Sequence, residues 1–345
     1  MIIVMKDSAT MAEVGQVLKV LEERGFNPRP NHGAEGTVIG IMDATGADLE
    51  GLDKYPGVQQ VSPLSKKFKM VSKDYQSTPT VVRVGDVEIG GPEFVVMSGP
   101  CGVESVEQLM STAQAVKASG CRILRGGAYK PRTSPYSFQG LREEGLKILA
   151  QARAETGLPI ITEIISPELV PLVAQYTDIM QIGARNMQNY ALLEAVGRTR
   201  KPVMLKRGLM STIEEMLLAA EYLMSGGNTQ VMLCERGIRT FEPATRNTLD
   251  LSAVSVMKRS SHLPVIVDPS HAVGHVDYVA DMCRASVAAG ADGIIIEAHP
   301  NPAVALSDGQ QSLTFPALAE LMDSLRPIAA AMGRPMIPAP GKNSG

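Results

Sequence analysis

The stretch Val265-Ile-Val-Asp-Pro-Ser-His271 is a short apolar run that breaks directly into an acid and, three residues on, an imidazole. It is one of eight such runs, each ending in a charged or metal-capable residue. Residues 94–98 lead to Cys101, 122–124 to Arg125, 160–162 to Glu163 and 178–182 to Arg185. Residues 203–205 lead to Lys206, 230–233 to Glu235 and Arg236, and 293–296 to Glu297. Stretches of helical character separate them. In a (β/α)8 barrel all strand C-termini open onto one face, and that face carries the site. The pattern therefore predicts a TIM barrel whose mouth gathers acids, cations, a thiol and an imidazole. From 94 to about 332 the alternation runs for about 240 residues, close to the ~250 usual for this barrel. An open doubly wound sheet is the alternative, and no GxGxxG follows the first strand to support its dinucleotide-binding form.

Upstream, residues 1–65 read as a separate α+β module. Strands are expected over 1–5, 27–31, 37–42 and 58–64, with a turn at Gly33/Gly36. A helix over 11–24 has apolar residues at 11, 14, 17, 18 and 21 and a stop at Gly25. A short helix over 46–54 would complete βαββαβ, a ferredoxin-like order. Such a module carries a regulatory ligand or serves packing and oligomerisation, and fold alone does not choose between them. Residues 66–80 read as a polar linker. Residues 81–89, broken by Gly85-Asp86, read as a hairpin that plugs the bottom of the barrel. The catalytic unit is thus 81–332, and the Pro- and Gly-rich tail 333–345 is expected to be disordered.

Composition bounds the partners. With 33 Lys and Arg against 36 Asp and Glu, the net charge of −3 gives no reason to expect nucleic acid or an anionic membrane. Four dispersed cysteines with no CxxC pair read as reduced thiols, and the N-terminus lacks a signal-peptide pattern, so a cytoplasmic protein is expected.

Two constellations carry the chemistry. Arg125-Gly-Gly-Ala-Tyr-Lys130-Pro-Arg132-Thr133-Ser134 places three cations and two hydroxyls in one loop. Arg offers a planar fork for carboxylate or phosphate, and Lys a mobile point charge. A solvated basic loop would look the same. Arg185, Lys206 and Arg236 at further strand ends change the weighting, because like charges in one cleft repel unless anions join them. Cys101, His271, Glu297 and Asp308 follow the first, seventh and eighth barrel strands, and barrel closure makes the first and eighth neighbours. One thiolate, one imidazole and two carboxylates suit one divalent ion of the Mn, Fe, Co or Zn class. Singly, each reads more simply as a structural Cys, a core His or a capping Asp, and their joint placement is what favours ligation. His275 and His299 are nearby rivals. Lys206 as a Schiff-base lysine is a competing chemistry.

Ser98-Gly-Pro-Cys-Gly-Val-Glu-Ser, Lys130-Pro-Arg-Thr-Ser, Gly183-Ala-Arg-Asn, Leu233-Cys-Glu-Arg-Gly and Asp268-Pro-Ser-His together resemble 3-deoxy-D-arabino-heptulosonate 7-phosphate (DAHP) synthase, type Iβ, over residues 1–332. The related octulosonate 8-phosphate synthases resemble Lys-Ala-Asn-Arg-Ser where this chain has Lys130-Pro-Arg-Thr-Ser134. The resemblance implies condensation of phosphoenolpyruvate with erythrose 4-phosphate and water, the entry to the shikimate pathway. It implies that Arg125, Lys130, Arg185, Lys206 and Arg236 hold phosphoenolpyruvate and that Arg132 and Thr133, with Ser134 in the same loop, hold the sugar phosphate. It also implies metal binding by Cys101, His271, Glu297 and Asp308, with Lys130 as proton donor and Glu163 orienting water. Feedback by tyrosine or phenylalanine through 1–65, with His32 and its turn as candidate contacts, and a homotetramer are further implications. An octulosonate synthase using arabinose 5-phosphate and a catalytically silent ligand-binding relative are the other readings.

Overall fold

The computed structural model describes residues 1–33, 36–41, 44, 47–62, 67–132 and 134–337. Two units emerge. One holds Met1–Pro79 with Arg259–His262, and the other Thr80–Lys258 with Leu263–Gly345.

In the first unit, β1 (Ile2–Met5), β2 (Arg29–Gly33), β3 (Gly36–Gly40) and β4 (Val58–Ser62) form an antiparallel sheet in the order β2-β3-β1-β4. The helix Met11–Glu23 starts at a capping box, with Thr10 Oγ1 accepting from the Glu13 amide while Glu13 Oε2 accepts from the Thr10 amide. Its buried Val14, Val17 and Leu21 join Ile3, Met5, Ile39 and Leu52 in one core. The helix expected over 46–54 is instead two 3-10 turns, Ala47–Leu49 and Leu52–Lys54. Gly51 between them has φ 82°, a left-handed residue that interrupts an α-helix. Residues 34–35, within the expected turn, together with Met42, Gly46 and residues 63–66, lie outside the described residues.

The stretch expected as a polar linker is partly buried. Phe68, Met70, Val71 and Tyr75 have little exposure, and His262 Nε2 lies 2.8 Å from the Met70 carbonyl. Its apolar side chains, hidden among lysines in the sequence, make it a packed strap.

In the second unit, β5 (Val82–Val84) and β6 (Val87–Ile89) form the expected hairpin about Gly85-Asp86. Eight parallel strands follow: β7 (Val95–Gly99), β8 (Ile123–Arg125), β9 (Ile160–Ile164), β10 (Ile179–Ile182), β11 (Val203–Lys206), β12 (Val231–Glu235), β13 (Val265–Val267) and β14 (Gly293–Glu297). They close into a barrel in sequence order, β14 pairing with β7. These strands are buried on both faces, which is why they read as continuous apolar runs rather than alternating ones. The hairpin's Val82, Val84, Val87 and Ile89 share a cluster with Val95, Ile123, Ile179, Met204 and Met232, residues at strand beginnings. The plug therefore sits at the N-terminal end, opposite the mouth. Each barrel strand is followed by a helix, from Val106–Ala118 to Phe315–Ala331.

The tail departs from expectation at its start. The Phe94 amide donates to the Pro335 carbonyl (3.2 Å), Arg334 pairs with Asp292, and Arg326 Nη1 donates to the Ile337 carbonyl (3.1 Å). Residues 338–345 lie outside the described residues.

Candidate active site

At the C-terminal ends of the strands, candidate ligand atoms of Cys101, His271, Glu297 and Asp308 all fall within 4.8 Å of one another. Cys101 follows β7, Glu297 ends β14, and His271 sits in the short helix Pro269–Val273 after β13. Asp308, on the loop after β14, takes a left-handed backbone (φ 52°) that a short polar residue tolerates better than most. Cys101 Sγ lies 3.0 Å from Asp308 Oδ2, and His271 Nε2 lies 3.3 Å from Glu297 Oε1.

Beside this cluster lies a cavity of about 260 Å³ lined by Lys130, Arg132, Ser134, Glu163, Arg185, Arg236, Arg246, His271 and Asp308. Lys130 belongs to both halves, with Nζ 2.9 Å from Cys101 Sγ and 2.9 Å from the Cys101 carbonyl. Arg125 and Lys206 do not line that cavity. Arg125 Nη2 lies 3.0 Å from Glu297 Oε1, its Nη1 is buried without a hydrogen-bond partner among the described residues, and it faces a smaller space beside Glu163. Lys206 pairs with buried Asp268. As a Schiff-base candidate Lys206 thus faces a carboxylate. Thr133 lies outside the described residues.

Charge balance differs across the site. Burial, then Glu297, pushes the Cys101 thiol up to about 12 against the pull of Lys130. Burial opposes ionisation of Glu297, yet His271 and Arg125 outweigh it and hold this carboxyl below its usual value. Asp308 is also held low: burial is outweighed by a hydrogen bond from Cys101 and by the charges of His271 and Arg246. Burial lowers the His271 pKa despite Asp268 and Glu297. Burial disfavours the Lys130 ammonium, but Cys101, Glu163 and Glu297 outweigh it and raise its pKa.

The residues fit a divalent ion. Glu297 Oε1 is buried and accepts no well-aligned hydrogen bond among the described residues, although Arg125 and His271 stand at ion-pair distance. An orphaned carboxylate oxygen aimed at a thiol, an imidazole and a second carboxylate is what a cation would satisfy. His271 Nδ1 is taken up by Asp268 Oδ2 at 2.8 Å, leaving Nε2 for coordination. Gln311 Nε2 holds the other Glu297 oxygen at 2.7 Å. The rivals stand elsewhere: His275 caps the helix Val276–Ala288, and His299 Nε2 lies 3.4 Å from Glu104 Oε2.

Two participants escaped sequence reasoning, Gln311 and Arg246, and for a third, Asp268, the position was read but not the role. Arg246 Nη1 lies 3.5 Å from Asp308 Oδ1 and 3.1 Å from Gln311 Oε1. It arises from the long loop after β12 and not from a strand end, so the pattern of charged strand ends could not reveal it. Asp268 stood in the opening stretch, but nothing in its spacing indicated what it would hold.

The fold and site define a class: a (β/α)8 barrel that sets a thiol, an imidazole and two carboxylates, able to hold one metal ion, against a cavity lined by cations. The sequence profile of the DAHP synthetase I family matches residues 69–330, and that of the DAHP synthase ferredoxin-like domain matches 1–66. The chain belongs to the DAHP synthetase I family. It is 48% identical over 334 residues to the phospho-2-dehydro-3-deoxyheptonate aldolase of Thermotoga maritima, covering 96% of this chain and 99% of that protein. A crystal structure described as that aldolase (DAHP synthase) from the same organism superposes with a TM-score of 0.78, covering 97% of this chain and 98% of that one. A 2-dehydro-3-deoxyphosphooctonate aldolase of Acidithiobacillus ferrooxidans is 33% identical, covering 68% of this chain and 89% of that protein.

Proposed function

We propose that this chain condenses phosphoenolpyruvate with D-erythrose 4-phosphate and water to give DAHP and phosphate, using a divalent ion held by Cys101, His271, Glu297 and Asp308. The observation that carries the reading is the position of Lys130, which touches the ligand Cys101 and lines the cationic cavity at once. When bound, the ion supplies Lewis-acid polarisation of an aldehyde oxygen. The chain's own residues do the rest. Arg185 and Arg236 in the cavity, with Arg125 behind it, bind the phosphate and carboxylate of phosphoenolpyruvate. Lys206, held by Asp268 at the end of β11, joins them. Arg132, Thr133 and Ser134 take the sugar phosphate. The enol C3 attacks the aldehyde carbon, and Lys130, kept charged by the acids around it, donates a proton to the new hydroxyl. Glu163 orients the water that adds at C2, and the cations stabilise the phosphate that then leaves.

The assay is phosphate release with erythrose 4-phosphate or arabinose 5-phosphate, each with and without EDTA. Turnover with the four-carbon sugar, abolished by chelation and restored by a divalent ion, is expected. The octulosonate aldolases among the relatives supply the second reading, which preference for arabinose 5-phosphate would establish. Metal-independent turnover would remove the ligand assignment. Cys101→Ala is expected to lose metal-dependent activity and keep its far-UV circular dichroism.

The family match of 1–66 to a ferredoxin-like domain supports an effector role for that unit. Tyrosine or phenylalanine is the proposed inhibitor, and initial rates with each amino acid test it. The reading includes a cytoplasmic homotetramer without membrane or nucleic-acid partners, which sedimentation checks. Among the described residues no helix is long and apolar enough to cross a membrane.

A further inference from the structure

Asp268 is fully buried and shared. Its Oδ2 accepts from His271 Nδ1 at 2.8 Å and pairs with Lys206 Nζ, while its Oδ1 accepts from the His271 amide at 3.0 Å. Its own amide donates to the Glu235 carbonyl (2.8 Å), so the backbone cannot shift without disturbing β12. His271 belongs to the ligand cluster and Lys206 ends β11 on the anion side. A single carboxylate oxygen therefore joins one ligand of the ion to one cation of the anion-binding half.

We propose that Asp268 is a positioning residue that couples occupancy of the ion site to binding of the anionic substrate. The inference rests on the reading above and adds a connection that the reading does not require. A carboxylate that receives the Nδ1 proton of a ligating imidazole fixes its tautomer and ring orientation and raises its basicity. The same carboxylate anchors the Lys206 ammonium, so movement at either end is felt at the other. Linkage then makes the effect reciprocal: the ion changes the affinity for phosphoenolpyruvate by the factor by which phosphoenolpyruvate changes the affinity for the ion. Asp268 touches both Lys206 and His271, so it offers Lys206 a direct structural route to a ligand of the ion besides simple charge.

The test is binding, read without turnover, on the full chain. Cobalt(II) is titrated against a chromogenic competitor, its thiolate absorption band reporting occupancy, and phosphoenolpyruvate binding to the metal-free protein is followed by calorimetry. Asp268→Asn is expected to weaken cobalt about 10- to 100-fold. Lys206→Gln is expected to shift the cobalt Kd by about fivefold or more in the wild-type background, and not in the Asp268→Asn background. Through-space charge alone would give the same shift in both backgrounds and would overturn the proposal, as would an unchanged cobalt Kd in Asp268→Asn. If Asp268→Asn does not fold, Lys206→Arg keeps the charge but moves it. A cobalt Kd shifted about fivefold supports the link and an unchanged one overturns it. Wild-type protein that binds neither cobalt nor phosphoenolpyruvate would defeat the proposed function itself, a result distinct from intact binding without coupling.

Discussion

Cys101 is held as a thiol, and that fixes how an ion must bind. Burial and Glu297 push its pKa to about 12, so near neutrality this proposed ligand carries a proton that coordination would displace. Burial disfavours the His271 imidazolium, so the Cys101 thiol is the main source of a displaced proton near neutrality. One proton released per ion means affinity that rises about tenfold per pH unit across neutrality. Cobalt titrations between pH 6 and 8 check this, and a flat Kd in the wild type would contradict thiolate ligation. Cys101→Ser is expected to weaken binding and flatten the slope. A second residue-scale prediction concerns Glu163. A Cβ at Gly183 would stand 1.9 Å from Glu163 Oε1, the free end of a flexible side chain. Gly183→Ala should therefore displace the carboxylate and spare the fold. If Glu163 orients the attacking water, kcat falls about 100-fold with little change in KM or Tm. Unchanged kcat would remove Glu163 from the reaction.

Between elements the constraint is harder. A Cβ at Gly99, where β7 ends, would fall 2.1 Å from the Arg125 carbonyl oxygen of β8, and φ there is 150°. Backbone cannot swing aside as a carboxylate can. Gly99→Ala is expected to cost about 3 kcal/mol, lowering Tm by roughly 5–10 °C. A melting point within 2 °C of wild type, about the effect of 1 kcal/mol or less, would show that the strands can part here. This close approach was invisible in the sequence, whereas the strands themselves were legible because burial on both faces leaves unbroken apolar runs. The strand-end residues were legible for the same reason, since each run announces its end by its first charge. Partnerships were not. Lys206 and Asp268 project from alternate strands, β11 and β13, and Arg125 and Glu297 from β8 and β14, with one strand lying between the members of each pair. Inward side chains of alternate barrel strands stack in common layers, so the pairs follow a spatial order that linear spacing does not display. Arg246 reaches the site from a long loop and Gln311 from the single 3-10 turn Gly309–Gln311, too short for any periodicity to read.

At the scale of the whole molecule, every described residue assigned to the chemistry lies in the second unit, while the first unit includes the short piece Arg259–His262. That piece explains where the chain can be cut. His262 is buried with Nε2 2.8 Å from the Met70 carbonyl, Ser261 bridges Ser72, and the Lys73 amide donates to the Ser260 carbonyl (3.2 Å). A chain beginning at Lys67 retains these bonds, and one beginning at Thr80 removes the carbonyl that His262 meets and the strand-like bridge beside it. Losing a buried hydrogen bond costs about 0.5–1.5 kcal/mol, and the lost burial of Phe68, Met70 and Val71 adds to it. The Thr80 chain is therefore expected to melt at least about 5 °C below the Lys67 chain. Both should be insensitive to tyrosine and phenylalanine if the effector role belongs to 1–66, and the Lys67 chain should retain the kcat of the full chain. Equal melting points would return 67–79 to the status of a passive connector. Inhibition of the Lys67 chain by either amino acid would place the effector site within the barrel unit.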